Sequence, residues 1–349
     1  MRAEHLAYPP KPAPGDRVAV LSPSAGLPQL FPAPFDLGLR RLRHVFGVEP
    51  VEYPTTRVLG ASVEARARDI HAAFADPGIA AIVTSVGGED QITVLRHLDP
   101  DVLRANPKPF FGYSDNTNLL HYLWNLGIVS YHGGAVMVQW GRPGVMQPET
   151  RASLERAMFT NGEYELPMPA ASTDEDRDWA SPDALEEEPT LQPAPPWSWH
   201  GPVTTVSGPA WGGCLEIVDF QLRASRYLGE PAGYAGAVLF LETSEEQPSA
   251  SYVYRVLMCM GERGLLEQFP AVLMGRPKAW SFEAPNDADT KAAYRERQHE
   301  AVLRAVQEYN PDAVVVLDVD LGHTDPQVVI PHGGRVVVDA QAQRITVTY

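Results

Sequence analysis

Between Arg17 and Gly133 short apolar runs alternate with helix-like segments, the pattern of a parallel sheet covered by helices. Strands are expected at Arg17 to Ser22, Ala80 to Val86, Pro109 to Tyr113 and Ile128 to Tyr131. Between them Ser62 can cap a helix whose Ile70, Ala73 and Phe74 share one face, and Asp76-Pro77-Gly78 ends it. Leu119, Leu120, Leu123 and Leu126 recur at helical spacing after Ser114, and Gly127 stops that helix. The second half is mixed. Gly236 to Leu241, Ala271 to Met274, Ala313 to Leu317, Val328 to Ile330, Arg335 to Val338 and Arg344 to Thr348 read as strands, and Ser249 to Glu262 and Asp289 to Tyr309 as helices.

The chain has 349 residues, 44% of them hydrophobic, enough apolar surface for two packed cores. Its 28 Lys and Arg against 44 Asp and Glu leave a net charge of −16, which argues against nucleic acid as a partner. No apolar run nears the roughly 20 residues that cross a bilayer, and Met1 to Pro14 lacks the apolar stretch of a signal peptide. Cys214 and Cys259 are too few for a disulfide framework. A cytoplasmic protein is expected. From about Ala170 to Pro202 acidic residues and prolines accumulate together with Trp179, Trp197 and Trp199, so this stretch is either a linker anchored by its tryptophans or a functional loop.

Three places could carry chemistry. Phe110 to Thr117 runs from an apolar strand into Ser114 and out into a helix, which would present the hydroxyl at a strand end beside free helix N–H groups. Asn116 stands where the nucleophile-elbow pattern has its second glycine. The competing reading is that Ser114 merely caps the helix. Gly87-Gly88 follows another strand, and its N–H groups could hold an oxyanion together with that of Asp115, or form only a tight turn. A serine needs a base: His323, in a loop of small residues after a strand, is the first candidate and His132 the rival. A carboxylate at a strand end could orient the imidazole, and Glu242 closes such a strand, whereas Glu245 and Glu246 read as solvated charges. Dinucleotide, P-loop and metal motifs are absent.

Taken together, Ser22-Pro23-Ser24, Val86-Gly87-Gly88, Gly112-Tyr113-Ser114-Asp115-Asn116-Thr117, Leu241-Glu242-Thr243-Ser244-Glu245-Glu246 and Gly322-His323-Thr324-Asp325-Pro326 resemble the LD-carboxypeptidase family of serine peptidases. The Glu-Thr-Ser-Glu-Glu and Gly-His-Thr-Asp-Pro forms and the Trp-bearing insert are more similar to its branch related to the microcin C immunity protein. The resemblance implies a triad of Ser114, Glu242 and His323, needing no metal or organic cofactor. It implies an α/β fold: a flavodoxin-like or class I amidotransferase-like domain over 1–165, the acidic insert over 166–202, and a swivelling β/α domain over 203–349. A homodimer is implied as well. Implied substrates are small peptides, such as murein tetrapeptides that lose a terminal D-alanine, or aminoacyl-nucleotides with an amide on an acidic amino acid. Trp179 would stack on a nucleobase. Cys214, in Gly212-Gly213-Cys214-Leu215, replaces an asparagine that can bond substrate, and His132-Gly133-Gly134 stands where the family tends to have His-Gly-Pro. A binding module that captures peptides without cutting them is the reading from another class.

Overall fold

The computed structural model describes residues 6–181 and 183–349; the first five residues of the charged N-terminal stretch lie outside them. Nine strands come first in chain order: β1 (Arg17–Leu21), β2 (Glu49–Glu52), β3 (Ile79–Thr84), β4 (Phe110–Gly112), β5 (Ser130–His132), β6 (Glu163–Glu165), β7 (Ala171–Ser172), β8 (Gln192–Pro193) and β9 (Ser198–His200). Seven follow: β10 (Thr205–Cys214), β11 (Val238–Glu242), β12 (Ala271–Gly275), β13 (Val314–Val319), β14 (Ile330–His332), β15 (Arg335–Asp339) and β16 (Arg344–Thr348). The strands expected from the apolar runs are present, most with ends moved by one or two residues.

The first half pairs β2-β1-β3-β4-β5 in parallel, and the second pairs β10-β11-β12-β13 in parallel. Connections through helices produce this parallel order on each side. One short strand joins the two sets. β14 runs antiparallel to β5 and meets β10 at the pair Ala210 with His332, so a single mostly parallel sheet spans the chain. The apolar core follows it: Val18, Val20 and Phe111 from the first set share a buried cluster with Phe240, Leu273 and Val316 from the second.

β10 was not foreseen. Its sequence, with three glycines and a proline, shows no apolar run or alternation, and the strand needs its glycines for space. A Cβ on Gly208 would lie 2.0 Å from the Gly236 carbonyl oxygen, and one on Gly212 would lie 1.8 Å from that of Phe240. Beyond Pro209 the strand leaves its antiparallel partner β15 and becomes parallel to β11, ending with Cys214 opposite Glu242. Helices at Pro32–His44, Pro148–Phe159 and Leu215–Ala224 were likewise not foreseen. The first two open with prolines, tolerated only in a first turn.

The acidic stretch is bound to the second half. β9 extends the sheet antiparallel to β13, and Thr173 and Asp325 exchange backbone hydrogen bonds of 2.7 and 2.9 Å. Asp174 pairs with Lys291 at 2.8 Å and Arg295 at 2.6 Å. Gly212→Ala should cost at least about 2 kcal/mol, because the new methyl meets backbone oxygen at a φ of +140°; chemical denaturation of the variant measures it.

Candidate active site

Ser114 begins the helical turn that follows β4, with a φ of +60°. A capping serine has extended backbone and accepts a hydrogen bond from the next turn. Ser114 has neither property, since the side chain caps no helix N–H. A non-glycine residue in the left-handed region is strained, by about 1–3 kcal/mol, and must be held there by its surroundings.

Those surroundings are visible. Asn116 donates to the carbonyls of Val86 at 3.2 Å and Tyr113 at 3.1 Å, and its Oδ1 accepts from Gln91 at 2.8 Å. The residue in the second-glycine position therefore ties the serine turn to the Gly87-Gly88 turn. Asp115 is buried and accepts from the Gln91 N–H at 3.0 Å and from Asn118 at 2.9 Å. Burial raises its carboxyl to about 6 despite those bonds. Gly87 passes so close that a Cβ there would lie 2.9 Å from both Cβ and Oγ of Ser114.

Across the cleft, His323 follows β13 and Glu242 ends β11. Nδ1 of His323 lies 2.6 Å from Oε2 of Glu242, and the imidazole packs edge-on to Tyr113 with ring centroids 5.0 Å apart. Nε2 lies 3.4 Å from Oε2 of Glu245. Burial would depress the imidazole, but pairing with Glu242 and then Glu245 raises it to about 9. No hydrogen bond joins Ser114 to His323 among the described residues, although both face the same cavity. Glu242 is fully buried, and Oε1, without a hydrogen-bond partner among the described residues, is 3.9 Å from Nε2 of His132.

His132, the rival base, is set away from the cavity. It is wholly buried on the other side of Glu242, against Phe240, and does not line the cavity. Burial, followed by His323 and His121, drives its pKa down to about 3, so it is a neutral core histidine.

The cavity holds about 1300 Å³ and is lined by Ser114, His323, Gly88, Trp179 and Cys214 among others. Trp179 packs at 5.8 Å against Phe31 with its ring tilted. The other two tryptophans anchor the acidic stretch: Nε1 of Trp197 donates to Asp320 at 2.8 Å, and Trp199 belongs to β9 opposite Val316. Cys214 is buried, its thiol 3.3 Å from Oε2 of Glu216, whose Oε1 accepts from the N–H and Oγ of Ser244. Sequence reasoning missed Glu216; Glu245 is exposed, as a run of glutamates after a strand suggests, but its carboxylate also comes within 3.4 Å of Nε2 of His323. Among the described residues no group of three His, Cys, Asp or Glu side chains is placed to hold a metal ion.

Comparison with known proteins gives the family of the chain. The profile of the LD-carboxypeptidase N-terminal domain matches residues 18–133, and that of the C-terminal domain matches 207–338. The protein is a hydrolase of the serine peptidase class. It belongs to the LD-carboxypeptidase family. The microcin C7 self-immunity protein MccF of Escherichia coli is 23% identical over 291 residues, covering 82% of this chain and 79% of that protein. The MccF-like protein from Streptococcus pneumoniae, solved in complex with AMP, superposes with a TM-score of 0.83 at 24% identity, over 96% of this chain and 99% of that one. MccF in complex with aspartyl sulfamoyl adenosine gives a TM-score of 0.84 at 22% identity, over 98% of both chains.

Two outcomes are expected. If Ser114 is the nucleophile, Gly87→Ala, whose methyl would press on its side chain, should slow fluorophosphonate labelling by about 10- to 100-fold, with the thermal midpoint little changed; mass spectrometry and calorimetry read the two. The second concerns pH. Because the folded imidazole of His323 titrates above its ordinary 6.5, its stabilisation is complete below that value and is lost as pH rises through about 9. The stability advantage of the native chain over His323→Gln should therefore shrink across that window in urea unfolding.

Proposed function

We propose that this chain is a serine-type amide hydrolase in which Ser114 is the nucleophile, His323 the general base and Glu242 the group that orients the imidazole. The observation that carries this reading is the strained Ser114, uncapped and held at a strand end, facing the same cavity as an imidazole paired at 2.6 Å with a buried carboxylate. Backbone strain clusters at active sites, and at Ser114 it coincides with a strand end, a missing cap and a shared cavity, which together support the reading.

In the proposed reaction Oγ of Ser114 attacks the carbonyl carbon while Nε2 of His323 takes the hydroxyl proton. The N–H groups of Gly88 and Asp115 hold the oxyanion. Collapse of the tetrahedral intermediate passes that proton to the departing amine and leaves an acyl-enzyme. Water, deprotonated by the same imidazole, releases the acid and frees Ser114. Glu242 keeps Nδ1 protonated and stabilises the imidazolium throughout.

The substrate on this reading is a small peptide or an aminoacyl-nucleotide. Bound aspartyl sulfamoyl adenosine in MccF and AMP in the pneumococcal relative support the nucleotide side, and Trp179 on the cavity wall supplies a ring on which a base can stack. The family to which the chain belongs supports the alternative of a murein peptide losing a terminal D-alanine. Cys214 lines the wall where the family tends to have asparagine; its buried thiol, pushed well up by burial and by Glu216, offers a weaker donor to substrate. A homodimer working in the cytoplasm completes the proposal; no helix among the described residues is long and apolar enough to cross a membrane.

Ser114→Ala and His323→Ala should each lower kcat by about 10⁴-fold or more on a murein tetrapeptide or an aspartyl-sulfamoyl adenylate, whichever the native protein cleaves. Turnover that persists in either variant removes that residue from the mechanism.

A further inference from the structure

On the triad reading Nε2 of His323 is the nitrogen that takes the proton of Ser114, and a half-exposed carboxylate lies at ion-pair distance from it. Glu245 sits 3.4 Å away, so the ring lies between two carboxylates. Such an imidazole keeps both protons near neutral pH, in agreement with its raised pKa of about 9. A ring protonated on Nε2 cannot act as a base.

The surroundings indicate what releases it. The groups that face the imidazole are Glu242 from β11, Glu245 from the loop after it, Lys278 from beyond β12, and the neutral Tyr113 and His132 from β4 and β5. Lys278 acts on Glu245 only at a distance, since its ammonium makes its direct contacts to Asp176 at 2.8 Å and to the carbonyls of Asp174 and His323. Glu89 and Glu246 also line this part of the cavity, and neither has an ion-pair partner among the described residues. Burial, then the charges of Glu245 and Glu89, raise the Glu246 carboxyl. Negative charge at the mouth therefore exceeds what the protein neutralises, and a cation brought from outside is favoured there.

We propose that Glu245 gates the general base and reads substrate charge: it holds the Nε2 proton of His323 in the free enzyme, and an ammonium group that the substrate carries beside the scissile amide draws it away. With Glu245 paired to that ammonium, the Nε2 proton passes to water, the ring becomes neutral, and its lone pair is free to accept from Ser114. The substrate class is amides and peptides with a free amino group close to the cleaved bond, in preference to the same compounds acylated on that nitrogen. This inference rests on the triad reading.

Labelling of Ser114 by a fluorophosphonate, followed from pH 5 to 10, tests it without the natural substrate. In the native protein labelling should rise with a midpoint near 9, and ethylammonium chloride, compared with sodium chloride at equal ionic strength, should increase the rate at pH 7 by about tenfold, the effect of moving the midpoint by one unit. Glu245→Gln should lower the midpoint by about one unit or more by itself and abolish the ethylammonium response. A midpoint unchanged by the substitution, or an ethylammonium effect that survives it, overturns the gate while leaving the triad standing. Absence of labelling in both proteins at every pH overturns the triad, and the gate with it.

Discussion

The contact between β14 and its two neighbours is the joint on which the site depends. Ile330 to His332 pair with β5 on one side and reach Ala210 of β10 on the other, so two parallel sheets become one. Ser114 follows a strand of the first set, while Glu242 ends one strand of the second and His323 lies in the loop after another. Only a fixed relation between the sets keeps a hydroxyl and an imidazole on one cavity, and hydrogen bonds across a buried strand supply that relation at little cost in mobility. Histidines fill the seam: His121, His132 and His332 are all buried, with ring contacts from His332 to His121 and Trp124. Burial holds each of them neutral, so the joint carries no net charge next to Glu242.

Much of this architecture was legible in the sequence, because a strand buried on both faces is written as an unbroken apolar run such as Val314 to Leu317. β10 was not legible for the opposite reason. Its glycines are demanded by carbonyl oxygens of the neighbouring segment, and nothing within the strand reveals the approach of another chain segment. The helix Leu215–Ala224 was hidden behind the same glycine pair. Of the candidate site, the residues could be named but one ambiguity could not be resolved. Ser-Asp before a helix is the composition of a cap, and the reading turns on a single torsion angle that no residue pattern encodes.

The acidic stretch illustrates the same limit from another direction. Both readings of its tryptophans were open, and the structure divides them: Trp197 and Trp199 anchor the segment, whereas Trp179 faces the cavity. Its carboxylates, which composition alone would assign to solvent, include one, Asp174, buried between Lys291 and Arg295. Charge complementarity between distant segments is a tertiary property. The same holds for Glu245, which a folded loop turns toward an imidazole almost eighty positions later in the chain.

The backbone exchange between Thr173 and Asp325 has a bearing on how the molecule is made. During synthesis the strands of the first set emerge and can pack long before His323 exists, since domains tend to fold as units from the N-terminus. The segment around Thr173 must wait for a partner about 150 residues downstream, as must β5 for β14. A nascent chain can thus bury its first core while the cleft between the two sets of strands is still unfinished.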